Sequence, residues 1–151
     1  MIALLAATGC TGPSGGTNSP SSSAAATPPS TGAAAPAVRL VEEHLADLHL
    51  WVSNQSFRDD PVVLTISIDG IAIVDQRFTV EGQHTFVLFP VRVPPGGHVV
   101  RVVSATGVDF QERFTMPERG RRYAAVGYVN AVDDSGRAID WLIRSTPIAF
   151  A

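Results

Sequence analysis

Residues 63–70 read VLTISIDG, and this stretch determines the class of fold. Its apolar side chains Leu64, Ile66 and Ile68 alternate with small or polar neighbours. A period of two is that of a strand with one face buried. The run stops at Asp69-Gly70, a dipeptide that favours a tight turn because both residue types tolerate positive φ. The stretch therefore predicts a strand that leads into a hairpin.

Similar runs recur on both sides of this stretch, separated by turn residues every 8–12 positions or so. They predict strands at 48–53, 71–80, 84–93, 98–105, 108–116, 122–130 and 137–144, with a short edge strand at 147–151. Seven to nine short strands without a long amphipathic helix predict an all-β domain, an immunoglobulin-like β-sandwich, with a small barrel as the alternative. The expected core consists of Leu50, Leu64, Ile66, Ile68, Phe78, Phe86, Leu88, Val100, Val102, Phe114, Val126, Ile139 and Trp141.

The first ten residues read MIALLAATGC and end at the only cysteine of the chain. Ala7-Thr8-Gly9-Cys10 resembles the lipobox of bacterial lipoproteins. The resemblance implies cleavage before Cys10, a diacylglycerol on its sulfur, and an extracytoplasmic protein held at the cell membrane; a secreted form is the alternative. Only nine residues precede Cys10 and none is basic, whereas a secretory signal has a basic start and a longer apolar core. We therefore expect residues 1–10 to be the remnant of a signal whose natural start lies upstream.

Residues 11–37 predict a disordered tether between this anchor and the folded domain. The 27 residues are seven Ala, six Ser, five Pro, four Gly, four Thr and one Asn, with no charge and no large apolar side chain. Such a segment cannot bury enough surface to offset its loss of conformational entropy. Its span as a coil is roughly 30 Å. Residues 38–47 form a connector whose apolar spacing suits either a helix or a short strand, and the sandwich is expected over 48–151.

Charge excludes one class of partner. The net charge is −3, and all 11 basic residues are arginines. No basic cluster exceeds Arg119, Arg121 and Arg122, so we expect no nucleic-acid partner. These three arginines are either simply solvated or contact anionic headgroups or wall polymer. No apolar run reaches the roughly 18 residues of a membrane span. We also expect the protein to be a monomer.

The residues that commonly carry catalysis or bind metals show no recognisable arrangement. His44, His49, His84 and His98 have no ligand spacing, and the Asp-rich turns lack a calcium-loop motif. Single, hydrogen-bonded histidines and self-capping turns are therefore expected, without metal or cofactor. No serine lies in a G-x-S-x-G elbow. We accordingly expect a non-enzymatic protein, with a hydrolase whose site is assembled by the fold as an alternative.

Three aromatic residues are candidate ligand-binding residues. Trp51 shares a strand face with His49, opposite Leu50, while Tyr123 and Tyr128 lie on opposite faces of one strand. An exposed strip of such rings suits stacking on a sugar or packing against a protein. In the alternative interpretation, one tyrosine is in the core and Trp51 is covered by a loop.

A second resemblance concerns the folded domain. Ile66-Ser67-Ile68-Asp69-Gly70, followed by residues 93–102 (VPPGGHVVRV), is similar to the PEGA-type surface module. The resemblance implies a non-enzymatic envelope module. The leading hypothesis is thus a lipid-anchored binding or adaptor module with a cell-wall or protein partner, and the runner-up is a carbohydrate-binding module.

Overall fold

The computed structural model describes residues 37–80, 85–130 and 136–150. Cys10 and residues 11–36 of the predicted tether lie outside this part, as do His84, Asp133 and Asp134. The elements are β1 (Arg39–Leu40), a 3-10 helix (Glu43–Leu45), β2 (Leu48–Asn54), β3 (Val62–Ile68), β4 (Ile71–Phe78), β5 (Val87–Arg92), β6 (Gly96–Ser104), β7 (Asp109–Met116), β8 (Arg122–Val129) and β9 (Ala138–Arg144). Within the described residues, no helix is long and apolar enough to cross a membrane.

The nine strands form two sheets that pack as a sandwich, which confirms the predicted all-β, immunoglobulin-like architecture. One sheet has the order β1-β5-β2-β8-β9 and the other β4-β3-β6-β7. Neighbours are antiparallel except β2 and β8, which run parallel, with Leu50 opposite Ala124. The outer strands are therefore β1 and β9 in the first sheet, and β4 and β7 in the second.

Inward-facing residues of both sheets fill the core. Most of the predicted core is confirmed: Leu50, Leu64, Ile66, Ile68, Phe78, Val100, Val102, Phe114 and Val126 are buried, and Ile139 and Trp141 pack against them. The prediction is wrong for Phe86 and Leu88. In β5 it is Val91 that is fully buried and Phe89 that packs against the core. Leu88 lies opposite Trp51 in the register and shares its outer face. Both faces of β5 are apolar, so alternation could not identify the inner one.

Residues 38–47 belong to the sandwich, which therefore begins before residue 48. The segment contains both a strand and a helical turn: β1 pairs with β5 through Arg39 opposite Arg92, and the 3-10 helix follows. Val38 is buried in the core. The predicted edge strand at 147–151 is absent from residues 147–150, which form no strand.

Candidate binding groove

Tyr128, one of the three candidate ligand-binding residues, is fully buried and is not available for stacking on a ligand. Its ring lies in the core, and its hydroxyl contacts Asp59 Oδ2 and Thr106 Oγ1, each at 2.7 Å. Asp59 lies in the β2–β3 connection and Thr106 in the β6–β7 turn. Tyr128 therefore links the β2–β3 connection to the β6–β7 turn at one end of the sandwich.

The direction of this hydrogen-bond chain follows from its ends. The ionised Asp59 carboxylate can only accept, so the Tyr128 hydroxyl donates to it and accepts from Thr106. The Thr106 hydroxyl then accepts from Ser104 Oγ at 2.7 Å, and the backbone N–H of Val108 donates to Ser104 Oγ at 3.0 Å. Every hydroxyl in the chain is satisfied, so this end of the sandwich is fixed by side chains as well as by strand pairing.

Arg137, the residue before β9, completes this network by binding the Asp59 carboxylate. Its Nε and Nη2 donate to the two oxygens of Asp59 at 2.8 and 2.9 Å. The side chain of Asp59 is only 10% exposed. Hydrogen bonds from Arg137 and then from Tyr128 lower the pKa of Asp59 to about 2, against the smaller opposing effect of burial. The network is structural, because its hydrogen bonds hold Asp59, Tyr128 and Arg137 against one another within the fold.

Trp51 and Tyr123 do lie on the outer face of the five-stranded sheet, but both are half-buried. The ring of Phe150 meets Trp51 edge-on at 5.4 Å and stacks on Phe86 at 3.8 Å. The ring of Tyr123 packs against His49 at 5.4 Å. Trp51 is thus covered by the segment that follows β9, and the two candidate rings do not form one open strip.

His98 joins the two halves of the motif that resembles the PEGA-type module. Its Nδ1 lies 2.6 Å from Asp69 Oδ2 and its Nε2 lies 2.7 Å from the carbonyl oxygen of Pro94. Because both partners are acceptors, both contacts are hydrogen bonds only when the imidazole is doubly protonated. The N–H of Val99 donates to Asp69 Oδ1 at 2.9 Å. Asp69 itself has a positive φ of 52°, as the Asp-Gly turn requires.

The hydrogen bonds that Asp69 accepts from His98 and Val99 determine the direction in which its pKa shifts. Burial is the largest single influence and opposes ionisation, but the hydrogen bonds from His98 and from the Val99 N–H together lower the pKa of Asp69 below its ordinary value. The other described histidines lie apart: His44 is exposed beside Glu42, and His49 Nε2 lies 3.4 Å from the Glu43 carbonyl oxygen. No group of three or more His, Cys, Asp and Glu comes together in the described part of the chain.

A groove opens on the side of the sandwich where the edge strands β7 and β9 approach each other. The ring of Phe114 on β7 contacts the ring of Trp141 on β9, with 6.0 Å between the ring centroids, and this contact joins the two sheets. The groove has a volume of about 520 Å³, and its walls come from β7, the start of β8 and the end of β9. It is lined by Arg113, Phe114, Thr115, Arg122, Ile143, Arg144, Ser145 and Thr146.

The groove concentrates positive charge in a protein whose net charge is negative. Three of its eight lining residues are arginines, and none of the eight is acidic. Arg92, Arg101 and Arg137 pair with Asp47, Asp109 and Asp59 elsewhere. By contrast, within 37–80, 85–130 and 136–150 the groove arginines make no ion pair. Arginines that line one open space attract anions, since each guanidinium group can hold a carboxylate or phosphate through two parallel hydrogen bonds.

A second depression of about 340 Å³ adjoins the groove and shares Arg113, Phe114 and Thr115 with it. Its other residues are Asp69, Gly97, His98 and Val99. The ring of His98 lies 5.5 Å from that of Phe114, so the Asp69–His98 pair supports the shared wall. The three shared residues are consecutive in β7, so the two depressions lie on either side of this strand.

No protein-family model, curated protein or solved structure was found to match this chain. Of the loop arginines singled out in the sequence, Arg122 lines the groove, Arg121 Nε donates to the Ala46 carbonyl oxygen at 2.9 Å, and Arg119 is exposed. The sequence did not indicate Arg113, which lies on β7, or Arg144, which ends β9, and both line one groove with Arg122 only through the fold.

Proposed function

We propose that the protein is a non-enzymatic binding or adaptor module of the bacterial cell envelope, anchored through lipid on Cys10. The observation that supports it best is the groove in which Arg113, Arg122 and Arg144 meet without an acidic neighbour among its lining residues. Arginines that take part in no ion pair within the fold leave their donors for a ligand. A tether of 27 residues would let such a site sample a volume roughly 30 Å in radius around its anchor.

The aromatic residues give less support to the runner-up, a carbohydrate-binding module that stacks sugars. Tyr128 is buried, and Phe150 packs against Trp51. A module that recognises charge at the groove is therefore the better proposal, and stacking on Trp51 becomes a separate arm of the test.

The test is retention of the purified full chain on sedimented envelope fragments from the source cells, with Cys10→Ala in every protein so that a lipid anchor does not itself cause retention. Arg113→Gln/Arg144→Gln removes two groove charges, and Arg39→Gln/Arg77→Gln removes two exposed charges outside it. We expect the groove variant to lose at least ten-fold in retention and the control variant to stay within two-fold of wild type. Equal retention of all three proteins would overturn the assignment of the groove. Loss only in Trp51→Ala would favour the sugar-stacking alternative.

A further inference from the structure

We infer that the ligand of this groove is an acidic glycan, a polyhydroxyl polymer with repeated carboxylate or phosphate groups, and not a compact anion. This inference rests on the proposed function, because it names the ligand class of the same site. Shape, spacing of charge and the chemistry of the remaining lining residues each support it.

The volume of the groove is much larger than that of a compact anion. A water molecule takes about 30 Å³ of liquid, and an inorganic phosphate only a few times that. The groove has a volume of about 520 Å³. A ligand that fills it spans the gap between β7 and the residues of β8 and β9 that face it.

The arginines are distributed along the walls of the groove. Arg122 and Arg144 belong to adjacent strands, and Arg144 lies opposite Tyr123, the residue after Arg122. Arg113 comes from the other sheet, and packed sheets lie about 10 Å apart. Arg144 shares the outer face of the sheet with Tyr123, whereas the alternation along β8 points Arg122 to the opposite face. The three guanidinium groups therefore do not converge on one point, and they suit anionic groups that are separated along a chain.

The remaining lining residues suit the backbone of a glycan. Thr115, Ser145 and Thr146 supply hydroxyls that can donate to or accept from sugar hydroxyls. The half-buried Ile143 offers apolar contact for the C–H face of a ring. Charge alone would attract any polyanion, but hydroxyls and apolar contacts beside the charges favour a sugar-based one.

The test compares defined ligands on the full chain by isothermal titration calorimetry at low salt. Polygalacturonate carries carboxylates and poly(glycerol phosphate) carries phosphates on polyhydroxyl backbones, so the two distinguish the sources of charge. Galacturonate, inorganic phosphate, neutral dextran and vesicles containing phosphatidylglycerol are the comparison ligands. We expect at least one acidic polymer to bind ten-fold or more tightly per anionic group than its monomer. Dextran should not bind.

Arg113→Gln/Arg144→Gln should weaken that binding at least ten-fold, and Arg39→Gln/Arg77→Gln should leave it within two-fold. Thr115→Val, which keeps all charges, should weaken binding to the polymer several-fold and leave phosphate binding unchanged. Equal affinity for monomer and polymer, or binding to the vesicles alone, would overturn the inference. If envelope retention depends on the groove arginines while no acidic polymer binds, the proposed function stands and this ligand class is wrong.

Discussion

Replacing Tyr128 by Phe removes one buried hydroxyl and leaves the ring in the core. The hydroxyl donates to the Asp59 carboxylate and accepts from Thr106, each at 2.7 Å. A hydrogen bond to a charged group contributes about 1.5–3 kcal/mol and a neutral one about 0.5–1.5 kcal/mol. Arg137 still holds both oxygens of Asp59 in the variant, so the loss should lie near the lower end of the sum. We expect the free energy of unfolding to fall by about 2–3 kcal/mol.

Urea unfolding followed by tryptophan fluorescence measures this change at pH 7. Tyr123→Phe is the matched control, because it removes a tyrosine hydroxyl from the same strand. That hydroxyl has no hydrogen-bond partner among the described residues, so its removal should change the free energy of unfolding by less than about 0.5 kcal/mol. Thr106→Val is a second test of the chain. Because the two hydroxyls share one hydrogen bond, the free energy of unfolding of the Thr106→Val/Tyr128→Phe double variant should fall by less than the sum of the two single losses. Equal losses in Tyr128→Phe and Tyr123→Phe would refute the hydrogen-bond chain.

Three further predictions concern other parts of the chain. Hydrogen bonds keep the pKa of Asp59 at about 2 in the fold, below its ordinary 3.8, so its contribution to stability is present above pH 4 and is lost as the pH falls towards 2. Asp59→Asn should therefore flatten the decline in the urea midpoint between pH 5 and pH 2.5, whereas the exposed Asp140→Asn should retain the wild-type slope. His98→Phe keeps a ring beside Phe114 but removes the contacts with Asp69 and the Pro94 carbonyl oxygen, and should cost about 1–2 kcal/mol in urea unfolding; an unchanged midpoint would contradict the role of His98. Mass spectrometry of membrane-fraction protein should find diacylglycerol on Cys10, and Cys10→Ala should release the protein from that fraction; an unmodified Cys10 with residues 1–9 still attached would contradict the anchor.

Much of the fold was predictable from the sequence because its signals are local. The alternation of Leu64, Ile66 and Ile68 identified β3 and its inner face, and the two residues of the predicted Asp69-Gly70 turn separate β3 from β4. The core residues on strands of this kind are buried as predicted. The prediction failed where both faces of a strand are apolar, as in β5, since periodicity then carries no information about direction.

The candidate site was much less predictable. Sequence reasoning selected aromatic residues by type, but Tyr128 is in the core with its hydroxyl bonded, and Phe150 packs against Trp51. A tyrosine on the inner face of a strand is indistinguishable in sequence from one at the surface unless the partners of its hydroxyl are known. The contact between His98 and Asp69 likewise joins residues 29 positions apart. Both motifs were visible in the sequence, but the pairing of β3 with β6 is what brings them together.

The sequence by itself determined the all-β class, the positions of most strands and the inner faces of those that alternate, because strand period and turn chemistry act over a few neighbouring residues. It also supplied the expectation of an anchor at Cys10 and a tether behind it. Only the tertiary structure decided where charge accumulates. Arg113, Arg122 and Arg144 lie on three strands of two sheets, and they line one groove because β7 and β9 are edge strands on the same side of the sandwich. Sheet order depends on long-range packing, and no local pattern in the sequence encodes it.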